Sequence, residues 1–181
     1  VFMPGFLIID GNSIINRAFY GIRPLSTREG IPTNGIYGFI NIMEKAVSEV
    51  NPQYLAVAFD VSRKTFRNEM YAEYKANRSG MPDELAAQMP YLKELLSAMN
   101  INCFELENYE ADDIIGTVSK NCEKENIECY ILTGDRDDLQ LASEKTRIML
   151  VTTRAGKTGT DIYDDKAVFE KYGLTPYEFI H

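Results

Sequence analysis

The stretch from Phe6 to Gly11, which reads FLIIDG, decides the fold class of this chain. It is a short apolar run closed by an acid and a glycine, which is typical of a strand buried on both faces of a parallel sheet. Two later runs have the same form: Tyr54 to Phe59 is followed by Asp60, and Glu128 to Gly134 is followed by Asp135. The sequence therefore predicts three buried strands, each with a carboxylate at its carboxyl end.

Segments with helical periodicity separate these strands. Apolar residues recur on one face between Ile36 and Val50, and a helix that begins at Pro82 has a predicted core face. Strands alternating with helices predict an α/β domain with a mostly parallel sheet. The core face after Pro82 comprises Leu85, Met89, Leu92, Leu95, Leu96 and Met99. Further helices are predicted at 14–20, 110–125, 165–172 and from 174, and a helical turn at 136–141. Further strands are predicted at 101–106, 147–153 and 161–163, with a polar hairpin tip at 157–160.

Composition indicates a globular domain rather than a fibrous or disordered chain. The 181 residues are 45% hydrophobic and 25% charged, which is enough for a substantial core in one domain or in a large part of one. The net charge of −8 argues against a protein that binds nucleic acid through a simple basic surface. A net charge does not, however, describe how the charges are distributed.

The cysteines and the single histidine exclude several kinds of site. Cys103, Cys122 and Cys129 are odd in number and contain no C-x-x-C pair, so we expect reduced, buried thiols in a cytoplasmic protein. His181 is the only histidine and the last residue, so histidine-based catalysis is not expected. The apolar run at residues 6–9 is too short for a signal peptide or a membrane span, so no membrane association is expected.

Carboxylates are predicted to converge at one edge of the sheet. In open α/β sheets the functional crevice lies beyond the carboxyl ends of the strands, where Asp10, Asp60 and Asp135 are placed. Another strand precedes the stretch from Tyr109 to Asp113, YEADD, whose acids open a helix at the same edge. Asp137 follows Asp135 by two residues. The seven candidate metal ligands are Asp10, Asp60, Glu110, Asp112, Asp113, Asp135 and Asp137.

Such a cluster favours a site for divalent cations. Like charges repel strongly unless cations lie between them or some of the acids are protonated. Oxygen ligands without histidine or cysteine suit Mg²⁺ or Mn²⁺, and two such ions can clamp the two oxygens of a phosphoryl displacement. Each acid alone has a simpler explanation as a turn residue or, at Glu110 to Asp113, as a helix cap. Asp138 is expected to point to solvent at the start of a helical turn.

A basic, aromatic-rich segment lies between Ser62 and Arg78. Lys75 and Arg78 share a face if this segment is helical, and aromatic side chains alternate with the bases. Beside an acidic metal site it would attract a polyanion, although a solvated charged loop has the same composition. Arg17, in the helix after Asp10, can reach the same crevice or can be an ordinary surface residue.

Six motifs occur together in this chain: IDGNS at 9–13, AFD at 58–60, FR at 66–67, YKANR at 74–78, YEADDIIG at 109–116 and TGDRD at 133–137. In order and spacing they resemble the 5′-nuclease family of the N-terminal domain of bacterial DNA polymerase I, a relative of the flap endonucleases. The resemblance covers nearly the whole chain from about Gly5. It implies a PIN-like α/β nuclease fold and Mg²⁺-dependent hydrolysis of DNA phosphodiesters near a 5′ end or flap, in replication and repair.

The resemblance also implies roles for particular residues. The seven acids correspond to metal ligands of the family, which hold two ions in the complete domain. Residues 62–82 correspond to a mobile arch or clamp over single-stranded DNA. Lys75 and Arg17 are expected to hold the scissile phosphate, without a covalent intermediate. The expected DNA-binding residues are Arg17, Arg67, Tyr74, Lys75 and Arg78.

The family pattern continues beyond the position of His181. Its members carry a further Asp-bearing motif and a helix–hairpin–helix, so residues 1–181 are expected to be the N-terminal catalytic part of a nuclease domain, followed by the rest of that domain and a polymerase. Val1 and Phe2 precede Met3-Pro4 and can be non-native. We expect such a fragment to bind Mg²⁺ weakly and to cleave poorly.

Two other functions are compatible with the sequence. A PIN-type ribonuclease shares acids at the ends of its strands, and a metal-binding nucleic-acid module would bind flaps without cutting them. The number of acids and the basic segment favour a nuclease over both.

Overall fold

The computed structural model describes residues 5–61, 80–154 and 157–180, with only the backbone described for Arg154, Lys157 and Ile180. Within these residues six strands form one sheet in the order β3-β2-β1-β4-β5-β6. All neighbouring pairs are parallel except β5 with β6, which is antiparallel. The strands are β1 (Gly5–Asp10), β2 (Tyr54–Ala58), β3 (Asn102–Phe104), β4 (Glu128–Thr133), β5 (Thr146–Arg154) and β6 (Lys157–Tyr163).

Helices connect the strands and cover both faces of the sheet. Parallel strands need long crossover connections, and each pair of parallel neighbours here is joined through segments that contain helices. The helices are α1 (Gly11–Gly21), α2 (Asn34–Val50), α3 (Asp83–Ala86), α4 (Gln88–Ala98), α5 (Ala111–Lys124) and α6 (Asp165–Tyr172), with 3₁₀ turns at Asp137–Leu141 and Pro176–Ile180. The predicted mostly parallel α/β domain is confirmed.

Two apolar cores lie on opposite faces of the sheet. Successive side chains of a strand point to opposite faces, so Leu7 and Ile9 of β1 belong to one core and Ile8 to the other. The first core packs the sheet against α1 to α4, and the second packs it against α5, α6 and the turn at Asp137–Leu141. Burial on both faces explains the continuous apolar runs that predicted these strands.

The segment after Pro82 differs from the single helix that was predicted. It is divided at Ala87 into α3 and α4, although Ala87 itself has right-handed helical φ and ψ angles. Leu85, Leu92 and Leu96 are buried as predicted, but Leu95 and Met99 are 37% and 41% exposed. The amide of Gln88 occupies a buried place in this layer instead, where it donates hydrogen bonds to Asn34 and to the Glu84 carbonyl.

Two boundaries also differ from the prediction. Residues 157–160 are not a hairpin tip, because Lys157 already pairs with Arg154 and β6 runs on to Tyr163. Helix α1 begins at Gly11, immediately after β1, rather than at residue 14, and its cap is Asp10. Cys122 and Cys129 are buried and Cys103 is half-buried, and all three thiols are reduced, as predicted.

None of the helices in residues 5–61, 80–154 and 157–180 is both long enough and apolar enough to span a bilayer.

Candidate metal and nucleic-acid site

The strand order brings three of the predicted acids to one edge of the sheet. Strand β1 lies between β2 and β4, so Asp10 at its carboxyl end is flanked by Asp60, which follows β2, and Asp135, which follows β4. Helix α5, which opens with Ala111 and Asp112, starts at this edge. The structure therefore brings together residues that are up to 125 positions apart in the chain, as their positions in the sequence predicted.

Asp10 combines a structural and an electrostatic role. Its Oδ1 accepts a hydrogen bond from the Ser13 backbone N–H at 3.0 Å, which caps α1, and its Oδ2 accepts one from the Thr133 hydroxyl at 3.2 Å. Only 4% of the residue is exposed. Burial is the main cause that raises the pKa of Asp10 to about 7, and the charges of Asp112 and Asp60 raise it further.

Asp60 connects the end of β2 to α1 and α5. Its Oδ1 accepts a hydrogen bond from the Ala111 backbone N–H at 2.7 Å, in the first turn of α5. Its own backbone N–H donates to Asn12 Oδ1 at 3.0 Å. The first bond orients the Asp60 carboxylate against the N-terminus of α5, a favourable place for a negative charge, and the second joins the Asp60 backbone to α1.

Asp138 was predicted to point to solvent, and this prediction is wrong. The 3₁₀ turn at Asp137–Leu141 rotates it inward, where it is 2% exposed. Carboxylate oxygens of Asp10, Asp112 and Asp138 all lie within 4.8 Å of one another. Burial raises the pKa of Asp138 to about 8, and the neighbouring charges, that of Asp112 first, contribute.

Glu110 and Asp113 form the capping box of α5. The Glu110 backbone N–H donates to Asp113 Oδ2 at 3.0 Å, and the Glu110 side chain accepts from the Asp113 backbone. Glu110 and Asp112 line the crevice at the acidic edge, whereas Asp113 lines two neighbouring clefts, one of which it shares with Asp112 and Asp138. The helix-cap interpretation therefore holds for this pair, without excluding a ligand role for Glu110.

Asp135 and Asp137 lie at the exposed side of the same edge. The Asp135 backbone N–H donates to the Thr133 hydroxyl oxygen at 3.0 Å, and Asp135 Oδ1 accepts from the Asp137 backbone N–H at 3.0 Å. Both side chains are solvent-exposed, unlike Asp10 and Asp138. This gradient from buried to exposed carboxylates suits a site that must admit a ligand from solution.

An open crevice of about 620 Å³ contains most of these groups. We call it the acidic crevice; among the described residues its carboxylates come from Asp10, Asp60, Glu110, Asp112, Asp135 and Asp137. Arg17 is the cationic side chain among its lining residues, and hydroxyl and amide groups from α1 complete the wall. The size is within the usual range for ligand sites in proteins.

Arg17 lies across the end of β4. One of its terminal nitrogens donates to the Gly134 carbonyl at 2.8 Å, whereas its buried Nε has no hydrogen-bond partner among the described residues. The absence of a side chain at Gly134 allows Arg17 to lie here, because a Cβ at Gly134 would lie 2.5 Å from Arg17 Nε. Arg17 is thus a positioned residue at the crevice rather than an ordinary surface arginine.

The other predicted DNA-binding residues lie outside the described part of the chain. This applies to Arg67, Tyr74, Lys75 and Arg78, and to the predicted arch up to residue 79. Pro82, near the end of that prediction, precedes α3.

Sequence reasoning missed Thr133, Asn12 and Ser13 as site residues. The Thr133 hydroxyl lies between Asp10 and the backbone of Asp135, and Asn12 and Ser13 bind the backbones of Asp60 and Gly134. In the sequence, these residues are marked only by lying close to Asp10 or Asp135 within the motifs. A hydroxyl or amide next to a carboxylate is so common, however, that its partner is visible only in the fold.

Comparison with known proteins agrees with this geometry. Residues 5–173 match the family model described as "5'-3' exonuclease, N-terminal resolvase-like domain". The chain belongs to this family. It is 45% identical to DNA polymerase I of Bacillus subtilis over 174 residues, and 46% identical to that of Caldicellulosiruptor bescii over 168 residues. These matches cover 96% and 93% of this chain but 20% of each polymerase, so the chain spans about one fifth of the length of these relatives.

Solved structures with low sequence identity to this chain share its fold. A bacteriophage T5 5'-exonuclease with bound zinc aligns with a TM-score of 0.68 over 97% of this chain and 64% of its own. A T5 flap endonuclease described as a pseudo-enzyme-product complex with DNA and metal ions has the same TM-score over the same share of both chains. Both are 18% identical to this chain, so they support the fold of the 5'-3' exonuclease family rather than particular residues.

The carboxylates at this edge of the sheet fit a divalent cation. Two carboxylates with raised pKa values, Asp10 and Asp138, lie beside a third at Asp112, and a cation would relieve their mutual repulsion. Asp138 Oδ2 is buried and has no hydrogen-bond partner among the described residues, which is costly in the absence of a ligand. Hard oxygen ligands of this kind bind Mg²⁺, Mn²⁺ or Ca²⁺.

Proposed function

We propose that this chain is the metal-binding part of a 5′→3′ exonuclease or flap endonuclease that hydrolyses DNA phosphodiesters in replication and repair. The observation that carries this proposal is the group of Asp10, Asp112 and Asp138, whose oxygens lie within 4.8 Å at the carboxyl edge of a parallel sheet. Membership of the 5'-3' exonuclease family supports it. Similarity to DNA polymerase I supports a cytoplasmic location and a polymerase in the parent chain.

Metal ligands are proposed in two groups. Asp10, Asp112 and Asp138 form the central group, in which Asp10 and Asp138 are buried and Asp112 is exposed, and the remaining acids lie around it. Asp113 has less support as a ligand than the sequence suggested, because its carboxylate is engaged in the capping box. The surrounding acids are Asp60, Glu110, Asp135 and Asp137, and the complete domain would hold two ions, Mg²⁺ or Mn²⁺.

Hydrolysis requires a polarised phosphate and an activated water, and divalent cations held by these carboxylates would supply both. The side chains of this chain position the substrate. Arg17 is fixed by the Gly134 carbonyl, so its guanidinium can hold a phosphate with little loss of side-chain entropy. Lys75, Arg67, Tyr74 and Arg78 are proposed DNA contacts from the family resemblance. No covalent intermediate forms.

The proposal predicts a separation of cleavage from binding. In the parent protein, Asp112→Asn or Asp135→Asn should reduce cleavage of a 5′-flap DNA by at least about 100-fold while DNA affinity changes little, because a lost metal ligand affects the reacting phosphate more than the rest of the strand. Glu44→Gln, at an exposed position of α2, is the matched control and should cleave normally. Normal hydrolysis by both aspartate variants would contradict the proposal.

The substrate class is tested with the same proteins. Matched RNA and DNA flaps distinguish a DNA nuclease from a PIN-type ribonuclease, and we expect cleavage of the DNA flap. A parent protein that binds flaps in Mg²⁺ and never cuts either one would instead be a binding module.

A further inference from the structure

A second cavity, of about 380 Å³, lies beside the acidic crevice and has the opposite charge. Arg17, Arg136 and Lys171 line it, and among its described lining residues Asp161 is the acid. We call this cavity the basic pocket. In a chain with a net charge of −8, three cations around one cavity are an unusual concentration. The cavity is large enough for a nucleotide-sized ligand.

The basic pocket and the acidic crevice share a wall. Arg17 and Thr153 line both cavities. Asp135 lines the crevice, and the next residue, Arg136, lines the pocket. A ligand that contacts the carboxylate site is therefore within reach of the pocket without any rearrangement of the fold.

The cations of the pocket are only partly neutralised by the protein. Nε of Arg17 is buried and has no hydrogen-bond partner among the described residues. Lys171 Nζ contacts the Tyr163 hydroxyl and lies 4.0 Å from Asp161 Oδ2, the limit for an ion pair. The Lys171 side chain remains 42% exposed. Arg136 is exposed as well, so the rim can accept an anion from solution.

The wall of the pocket combines cations with hydroxyl groups. Thr152 and Thr153 of β5 line it, whereas Leu150, Val151 and Tyr163 are 2%, 0% and 5% exposed and offer it little apolar surface. Tyr172 from α6 is half-buried there. Cationic and hydroxyl donors around one cavity match the oxygens of a phosphate group.

We propose that the basic pocket binds a second phosphate of the DNA strand, adjacent to the phosphate held at the acidic crevice. The inference rests on the proposed nuclease function and assigns Arg136 and Lys171 as substrate-positioning residues. The phosphate can be internal or can be the terminal 5′-phosphate, since both present the same oxygens to the cations.

The test measures DNA affinity with the two new residues altered. Arg136→Gln, Lys171→Gln and the double variant of the 181-residue chain are titrated with a single-stranded oligonucleotide in Ca²⁺, once with a 5′-phosphate and once with a 5′-hydroxyl. We expect the double variant to bind the 5′-phosphorylated strand about 10-fold more weakly. Loss of one phosphate contact should also reduce the slope of log affinity against log salt by about 0.7.

Controls separate the pocket from general electrostatics. Lys166→Gln removes an exposed lysine from the same helix as Lys171, and Arg28→Gln removes an exposed arginine from a loop. Neither should change the affinity. Equal losses in these controls, or unchanged binding in the double variant, would overturn the proposal. Thermal unfolding shows whether each variant folds, and Arg136→Gln alone keeps the test valid if Lys171→Gln destabilises α6.

The two strands identify which phosphate binds. A loss confined to the 5′-phosphorylated strand supports a terminal-phosphate subsite, and an equal loss with both strands supports an internal one. Cleavage by the parent protein is scored separately. If the pocket variants lose affinity but the unaltered parent never hydrolyses DNA, the nuclease proposal fails and the phosphate subsite remains.

Discussion

Asp10 and Asp138 are buried carboxylates that belong both to the interior of the fold and to the proposed metal site. Both are buried, both contact or face Thr133, and both have raised pKa values because a charged carboxylate is poorly solvated there. Asp10 nevertheless caps α1, so replacing it would remove a helix cap together with a metal ligand. Asp138 caps no helix, so replacing it tests the effect of its raised pKa without removing a helix cap.

The raised pKa values predict a pH dependence in the absence of metal. An acid with a higher pKa in the folded state binds its proton more tightly there than in the unfolded chain, so it stabilises the fold below its ordinary pKa near 3.8 and this contribution is lost as the pH rises. In a chelator, the free energy of unfolding should fall between about pH 4 and pH 8. Urea denaturation at several pH values measures it.

Two comparisons make this prediction specific. Asp138→Asn should flatten part of the pH dependence, because its amide does not ionise. Saturating Mg²⁺ should restore stability above pH 7, where both carboxylates are charged. A stability that is independent of pH in the chelator, or that rises with pH, would contradict the assignment of raised pKa values.

At the scale of elements, the N-terminus of α5 divides its acids between two tasks. Asp112 at the second position faces the acidic crevice, whereas Asp113 at the third closes the capping box with Glu110. Consecutive helical residues point about 100° apart, so neighbouring acids can serve different surfaces. The cap and metal interpretations of this stretch are therefore compatible: Asp113 serves the cap, Asp112 faces the crevice, and Glu110 takes part in both.

The division predicts opposite effects of two adjacent substitutions. Asp113→Ala should destabilise the chain by about 1 kcal/mol, since Ala cannot accept the Glu110 N–H, with Mg²⁺ affinity nearly unchanged. Asp112→Ala should weaken Mg²⁺ binding without a comparable loss of stability in chelator. Calorimetric Mg²⁺ titration and urea denaturation measure the two effects. If Asp113→Ala weakened Mg²⁺ binding as much as Asp112→Ala, the capping role would not be its main one.

At the scale of the whole molecule, the site depends on close packing at the centre of the sheet. Gly11 follows β1 directly, and a Cβ there would lie 2.3 Å from the Phe59 ring, which is fully buried next to Asp60. The site and the core therefore share this contact. A side chain at Gly11 would force β1 and the segment after β2 apart and would move Asp10 relative to Asp60.

Gly11→Ala should accordingly destabilise the protein by about 1–3 kcal/mol, the usual range for overpacking a core. Gly116→Ala is the control, because a Cβ at this position of α5 would meet only Leu141 Cδ2 at 3.6 Å and Ala favours a helix. Thermal denaturation compares the two. Equal stability of Gly11→Ala and the unaltered chain would show that Phe59 can move without cost.

The predictions from sequence succeeded where local pattern and fold agree. Apolar runs located β1, β2 and β4 because these strands are buried on both faces, and their terminal acids then had to share an edge. They failed beside a buried helix face and at a turn. Leu95 lies next to the buried stripe of Leu92 and Leu96 but is itself exposed, and Asp138 is buried by a 3₁₀ turn whose geometry the sequence does not reveal.

The sequence by itself determined the α/β class, the family and the identity of most acids of the crevice, because strand burial and motif spacing are local properties of the chain. Only the tertiary structure decided which acids come within 4.8 Å of one another, that Asp138 is among them, and that Arg17 joins the acidic crevice to the basic pocket. The physical reason is that distance, burial and pKa depend on strand order and packing between residues far apart in the chain.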